Sequence, residues 1–253
     1  MTTHSPVVIQ ELDASCLRIV RSVDGETKLV RAAATLQGVV RAASDALLGR
    51  KVIVCEGKTE VGVCRAFDRF WTETQGEEGF AYLGVVPVEG DGANAPQRAV
   101  DIRRLGYSVS FLGDSDRELA PAPAAMQAAG INVLIWADRM SIEERIARDL
   151  PWDGVLEVVA LAFQEPGEQS ARGAVAQSLG TIATLIQGDF RTWQDSQELR
   201  KAIGHAAKTA GWFKRIGSGE RLGEVVCRHI ERIPATDLAQ KMAELRQWID
   251  AND

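Results

Sequence analysis

Carboxylates stand where short apolar runs of this chain end: Glu56 after "KVIVC", Asp91 after "VVPVEG", and Asp114 and Asp116 after "VSFLG". Glu60 lies one helical turn beyond Glu56, in "EGKTE". In a parallel sheet, ligands collect outside the carboxyl ends of the strands. Acids delivered there by several strands would repel one another, and without compensation some would stay protonated. A hard divalent cation resolves that conflict, because Mg²⁺ takes oxygen ligands in octahedral geometry. The chemistry such a set serves is phosphoryl transfer or phosphoester hydrolysis. Each acid also has a plainer reading, Glu56 as a solvated acid at a strand end. Glu60 suits the positive end of a helix dipole. Asp91, between glycines, and Asp114 and Asp116 are turn formers. Asp-x-Asp also marks phosphatases with an aspartyl nucleophile, although there it follows the first strand, and here earlier strand–helix units precede it.

The positioning elements follow from the hydrophobic pattern. Residues 6–13 and 16–23 read as two short strands around a turn. From Lys28, Leu29, Ala33, Leu36, Val40, Ala43 and Leu47 step by four and three, an amphipathic helix ending near Gly49. Strands and helices then alternate: strand 51–55, helix 59–73, strand 80–90, helix 94–106, strand 107–116, a broken helix 118–130 and strand 131–138. That order indicates α/β architecture with a parallel sheet of about four strands and right-handed crossovers. Past Pro151 the strands stop, and residues 152–164, 169–187, 195–209, 218–231 and 235–250 read as helices. The expected organisation is a lead-in or hairpin remnant over 1–27, a joining helix over 28–49, a catalytic core over 50–165 and a helical domain over 166–253.

"GKT" at Gly57–Thr59 is the tail of a phosphate-binding loop. The full motif, G-x-x-x-x-G-K-[ST], needs another glycine where this chain has Val52, inside the strand. No nucleotide is expected on Lys58. What remains is an apolar strand running into Glu-Gly.

The chain has 253 residues, 45% of them hydrophobic and 25% charged, with a net charge of −6. That is an ordinary soluble composition, without an apolar run long enough to span a membrane or the layout of a signal peptide at the first residues. Four scattered cysteines form no C-x-x-C pair, so a reduced, cytoplasmic setting is expected, without a disulfide framework or zinc site. Three histidines leave little for a histidine-based centre. The overall charge is not that of a nucleic-acid binder, but the stretch 200–232 is rich in Lys and Arg. Lys208, Arg215 and Arg221 are the phosphate contacts expected of it, against the plain reading that such charges only solvate helices.

A strand ending in Glu-Gly, followed later by a strand ending in Asp-x-Asp, resembles the Toprim domain of topoisomerases, primases and small nucleases. The extended "VIVCEGKTE" is similar to the Toprim module of the overcoming-lysogenisation-defect (OLD) family nucleases. "ADRMSIEERIARDLPWDGV" resembles that family's acid-containing helix before D-L-P-W, and "GWFK" its late lysine. The resemblance spans roughly residues 25–230. It implies a Toprim-type, Rossmann-like core and hydrolysis of DNA phosphodiesters with two Mg²⁺ or Mn²⁺ ions about 4 Å apart. It implies Glu56, Glu60, Asp91, Asp114 and Asp116 as ligands, with Glu56 also catalytic, and Ser141 and Glu143 helping to bind the second ion. By spacing alone, Ser141 and Glu144 form a capping box, which leaves Glu143 free. Lys214 would neutralise charge building on the phosphate; without the resemblance it reads as a solvated lysine at a helix start. OLD proteins carry an ATPase domain ahead of Toprim. This chain lacks its P-loop, so the expected partners are DNA and an ATPase domain, upstream or in a separate chain, with self-association also open. The alternatives are a metal-dependent phosphatase and a regulatory module that binds metal and DNA without cutting.

Overall fold

The computed structural model describes residues 2–251 apart from Asp24. The chain opens with a helix, α1 (Pro6–Glu11), where a strand is expected. The Ser5 side chain accepts from the Val8 amide and Pro6 occupies the first turn, the local signature of a helix start. The hairpin comes later: β1 (Arg18–Val23) pairs antiparallel with β2 (Glu26–Arg31), Val20 opposite Leu29. β2 takes the start of the helix expected from Lys28. The rest of 28–49 is a 3₁₀ turn, a short helix α2 (Gln37–Ala42) and another 3₁₀ turn. Ala43, with φ −138° and ψ 42°, breaks the helix. Leu36, Val40 and Ala43 are buried, as the periodicity requires, but Leu29 is exposed on the hairpin.

The protein is α/β. Its main sheet holds β3 (Lys51–Cys55), β4 (Val85–Glu89), β5 (Ser108–Gly113) and β6 (Asn132–Ile135), all parallel, in the order β4-β3-β5-β6. β4 is shorter than expected. Phe80–Leu83 form a single helical turn ended by Gly84 at φ 68°, and Phe80 packs on Trp71 with ring centroids 6.1 Å apart. The crossovers are α3 (Lys58–Arg69), α5 (Ala95–Arg104) and α6 (Pro123–Ala128), the Phe80–Leu83 turn being α4. Alternate residues of the strands serve two cores. Val52, Val54, Val109 and Phe111 pack with α5, α6 and the N-terminal segment. Ile53, Cys55, Leu112 and Leu134 face α3 and the later helices.

Those later helices are α7 (Ile142–Asp149), α8 (Trp152–Ala162), α9 (Glu168–Leu179), α10 (Gln197–Thr209), α11 (Ile216–His229) and α12 (Asp237–Asp250). α9 ends short of residue 187 because Gly180, at φ 57°, turns the chain into 3₁₀ geometry. The expected helical domain shares its core with one face of the sheet, from Ile53 through Phe213 to Ile249. Its tightest joint is α11 on α3. A Cβ on Gly62 would stand 2.4 Å from the Ile216 carbonyl oxygen, and one on Gly219 would stand 2.7 Å from that of Thr59. Only glycines let the two backbones come this close. At the other end of β3, Lys51 Nζ donates to the carbonyls of Trp248 (3.3 Å) and Ile249 (2.9 Å), placing a cation at the negative end of α12. Among the described residues, no helix is long and apolar enough to cross a membrane.

Candidate functional site

Glu56 is the first residue past β3. Its amide donates to the Leu112 carbonyl (2.9 Å) and its carbonyl accepts from Gly92 (2.8 Å), so its backbone is fixed from both neighbouring strand ends. Its Oε2 accepts from the Asp114 amide at 2.9 Å, and its Oε1 pairs with Arg117. Gly113 makes this approach possible, since a Cβ there would lie 2.6 Å from the Phe111 ring and 3.1 Å from Glu56 Oε2. Glu60, in the first turn of α3, is buried and accepts from the Gly57 amide through Oε2 at 2.9 Å. Asp114 Oδ1 accepts from the amide of Ile142, the first residue of α7, at 2.9 Å. The next residue, Glu143, turns inward; it is 4% exposed and its Oε1 has no hydrogen-bond partner.

The electrostatics mark these residues as one cluster. Burial, and then the charges of Glu60, Glu56, Glu143 and Asp116, push Asp114 well above the usual carboxylate range. Burial first, and Glu143 second, push Glu60 up to about 7. Glu56 is raised by burial; the Asp114 amide, Arg117 and Lys214 work against that rise, and Asp116 works with it. Arg117 answers part of the charge on Glu56, whereas Glu60 and Asp114 have no ion-pair partner among the described residues and are raised by burial and by each other.

The remaining candidates divide. Ser141 is buried and caps α7: its hydroxyl accepts from the Glu144 amide (3.4 Å) and its own amide donates to Glu144 Oε2 (2.9 Å). Asp116 is held by Lys208 at 2.7 Å, and Lys208 also reaches Glu144 at 3.2 Å. Lys208 therefore spends its charge on carboxylates. Arg221 pairs with Glu165. Asp91 stands outside the cluster. It is exposed, at φ 66°, and accepts from the side chain of Asn94 at 3.0 Å, which is the turn role left open for it. Lys214 is exposed and follows Trp212 and Phe213, both buried. Thr59, between Glu56 and Glu60, donates from Oγ1 to the Phe213 carbonyl at 3.0 Å and ties the Lys214 turn to the carboxylates. Arg215 stands just before α11 at its cap position, exposed, and its side chain has no partner among the described residues.

Arg117 and Thr59 belong to the site as well and are not among the residues expected from the sequence. Arg117 was visible as the cation directly after Asp-x-Asp. Thr59 was visible only as part of a motif, because its partner lies 154 residues away.

Among the described residues, no three His, Cys, Asp or Glu side chains are placed to hold an ion as they stand. The donor chemistry nevertheless fits a hard cation. Every candidate ligand is an oxygen, Glu143 Oε1 is buried without a partner, and Glu60 and Asp114 are raised first by burial and then by the neighbouring carboxylates, a state that a bound cation would relieve. Glu56, Glu60, Asp114 and Glu143 are the residues that would hold it.

No protein-family model and no curated protein matches this chain.

Proposed function

We propose that this chain is a metal-dependent DNA endonuclease of Toprim type, close in plan to the OLD nucleases it resembles. The observation that carries the reading is the buried carboxylate cluster at the ends of β3 and β5, with Glu143 Oε1 unpartnered beside it. Such a cluster is costly unless it is neutralised, and groups of this kind gather at functional sites. Mg²⁺ or Mn²⁺, when bound, supplies the Lewis acidity that activates water and stabilises the leaving oxygen of a phosphodiester.

The protein's own residues position that chemistry. Glu56 is fixed by two strand ends and can hold or orient a cation or a water. Glu60 and Asp114 each commit one oxygen to a backbone amide and so keep a defined orientation. Lys214 lies close enough for its charge to act on Glu56, where a lysine would meet the charge that develops on a phosphate. An ATPase domain, in this protein or in a partner chain, belongs to the same reading, as does a cytoplasmic setting.

A phosphatase working through an aspartyl nucleophile is less well supported. Asp114 gives one oxygen to the Ile142 amide, and burial favours its protonated form, which is a poor nucleophile. Incubating supercoiled plasmid with Mg²⁺ or Mn²⁺ decides the matter. Nicking is the expected result. Turnover of small phosphomonoesters alone would favour the phosphatase, and retention of intact plasmid would favour a binding module.

A further inference from the structure

Asp138 and Arg139 both hold left-handed backbone, with φ 61° and 56°. Side-chain-bearing residues keep such conformations only where their surroundings over-determine them. Here they do. The Ala137 carbonyl accepts from Arg145 Nη2 (2.6 Å), and the Ala137 amide donates to Asp237 (2.8 Å). Asp138 pairs with Arg148 at 2.7 Å. Met140 exchanges two hydrogen bonds of 3.1 Å with Ser115, the residue between Asp114 and Asp116. The Met140–Ser115 bonds tie the loop to the Asp-x-Asp turn, the others tie it to α7 and Asp237, and one group is left without a partner. The Arg139 side chain is exposed, with no ion pair or hydrogen bond among the described residues.

Arg139 stands at a groove of about 980 Å³ between the β6–α7 loop, α9 and α10. Met140, Leu179 and Ile182 form an apolar floor, and Lys201 and His205 line another wall. The other charges of the lining are largely answered: Arg148 by Asp138, Arg200 by Asp195, Glu144 by Lys208. His205 lies 3.8 Å from Glu144. Lys201 and Glu198 have no ion-pair partner among the described residues. Glu144 also connects the groove to the site, because the Lys208 that it holds is the one bound to Asp116.

We infer that this groove carries the DNA strand beside the scissile phosphate, with Arg139 and Lys201 as its phosphate contacts and the Met140, Leu179 and Ile182 surface beneath the sugars and bases. The inference rests on the nuclease reading. Free cations on two separate elements, over an apolar floor, suit an extended polyanion with apolar faces better than a single phosphate.

The test is fluorescence anisotropy of an end-labelled single-stranded oligonucleotide across a NaCl series, with EDTA present so that nothing is cut. Arg139→Gln/Lys201→Gln should weaken binding about tenfold or more. Its salt slope should be shallower by about 1.4, two phosphates at about 0.7 each. Glu198→Gln should tighten binding, a gain that a merely structural residue would not produce, and it decides the matter if the double variant does not fold. Lys241→Ala, on α12, should bind as the parent does. A folded double variant with parental affinity and slope, or a Glu198→Gln variant with unchanged affinity, overturns the groove assignment and leaves the nuclease reading standing. A parent that binds no oligonucleotide at any salt also overturns the groove assignment, while the nuclease reading stands or falls on plasmid nicking with Mg²⁺ or Mn²⁺.

Discussion

The Thr59 hydroxyl donates to the Phe213 carbonyl at 3.0 Å, joining the first turn of α3 to the turn that presents Lys214. Both residues are buried, so the carbonyl has no ready replacement donor. Thr59→Val should therefore cost about 1–3 kcal/mol in stability, the range for a buried polar group left unsatisfied. It should also slow single-turnover nicking, because Lys214 loses its register against Glu56. Thr59→Ser, which keeps the donor, should restore most of both. Urea denaturation and single-turnover rates measured side by side check the pair.

Lys214 itself has a sharper expectation. Its charge acts on Glu56 from an exposed position, and the buried Trp212 and Phe213 anchor the backbone before it. Lys214→Ala should leave oligonucleotide affinity nearly unchanged and slow cleavage by about 10²-fold or more, the loss typical of one preorganised charge. Lys214→Arg should rescue poorly, since a planar fork is not a point charge. Equal rates for Lys214→Ala and parent at saturating metal and DNA would make Lys214 ordinary surface.

The carboxylates themselves are the simplest case. Glu56→Ala or Asp114→Ala should abolish nicking at matched circular dichroism and leave stability unchanged or raised, because each removes one member of a repulsive set. Full activity in either variant would sink the assignment of the site.

Much of this was legible in the sequence. The β-branched run of β3 and the apolar run of β5, each followed by an acid, located Glu56 and Asp114, and the Ser141–Glu144 spacing left Glu143 free of the capping box. What failed depended on partners distant in sequence. Lys208 and Arg221 look like free cations in a basic stretch, yet Asp116 and Glu165 claim them, and only the packing of α10 and α11 brings those acids near. Arg139 shows the converse: nothing in "ADRMS" announces a left-handed backbone, which is imposed by Arg145, Arg148 and Ser115 around it. At the N-terminus the failure was local. Ser5 and Pro6 are a helix-start pair that the strand reading of 6–13 left unused.

Packing of α3 on α11 gives a prediction independent of any reaction. A Cβ at Gly62 would meet backbone, the Ile216 oxygen and the Glu220 nitrogen, both at 2.4 Å. Backbone cannot swing aside as a side chain can. Gly62→Ala should lower stability by about 1–3 kcal/mol or more, as overpacking does, even though alanine is the better helix former. Gly217→Ala, at the start of α11 with no atom near its Cβ position, should be neutral or stabilising. A stable Gly62→Ala protein would mean that the two helices are not packed this closely.

The last prediction concerns pH and follows from Glu60. In the fold it titrates at about 7 against an ordinary value of 4.5, chiefly through burial and then through Glu143. The fold therefore favours the protonated form. Its contribution is fully present below pH 4.5, where both states hold the proton, and is lost as pH rises toward 7, because the unfolded chain releases the proton first. A shift of this size corresponds to about 3 kcal/mol. In EDTA the parent should melt at progressively lower temperature from pH 4.5 to pH 8. Glu60→Gln keeps an oxygen for the Gly57 amide and carries no charge, so it should flatten that decline, matching the parent at pH 4.5 and exceeding it at pH 8. Added Mg²⁺ or Mn²⁺ should raise the parent's Tm at pH 8, by the mass action of a ligand that binds only the folded state, and should raise that of Glu60→Gln much less. A parent whose Tm does not change with pH in EDTA would show that Glu60 is not held in a buried carboxylate cluster, and the proposed cation site would lose its central argument.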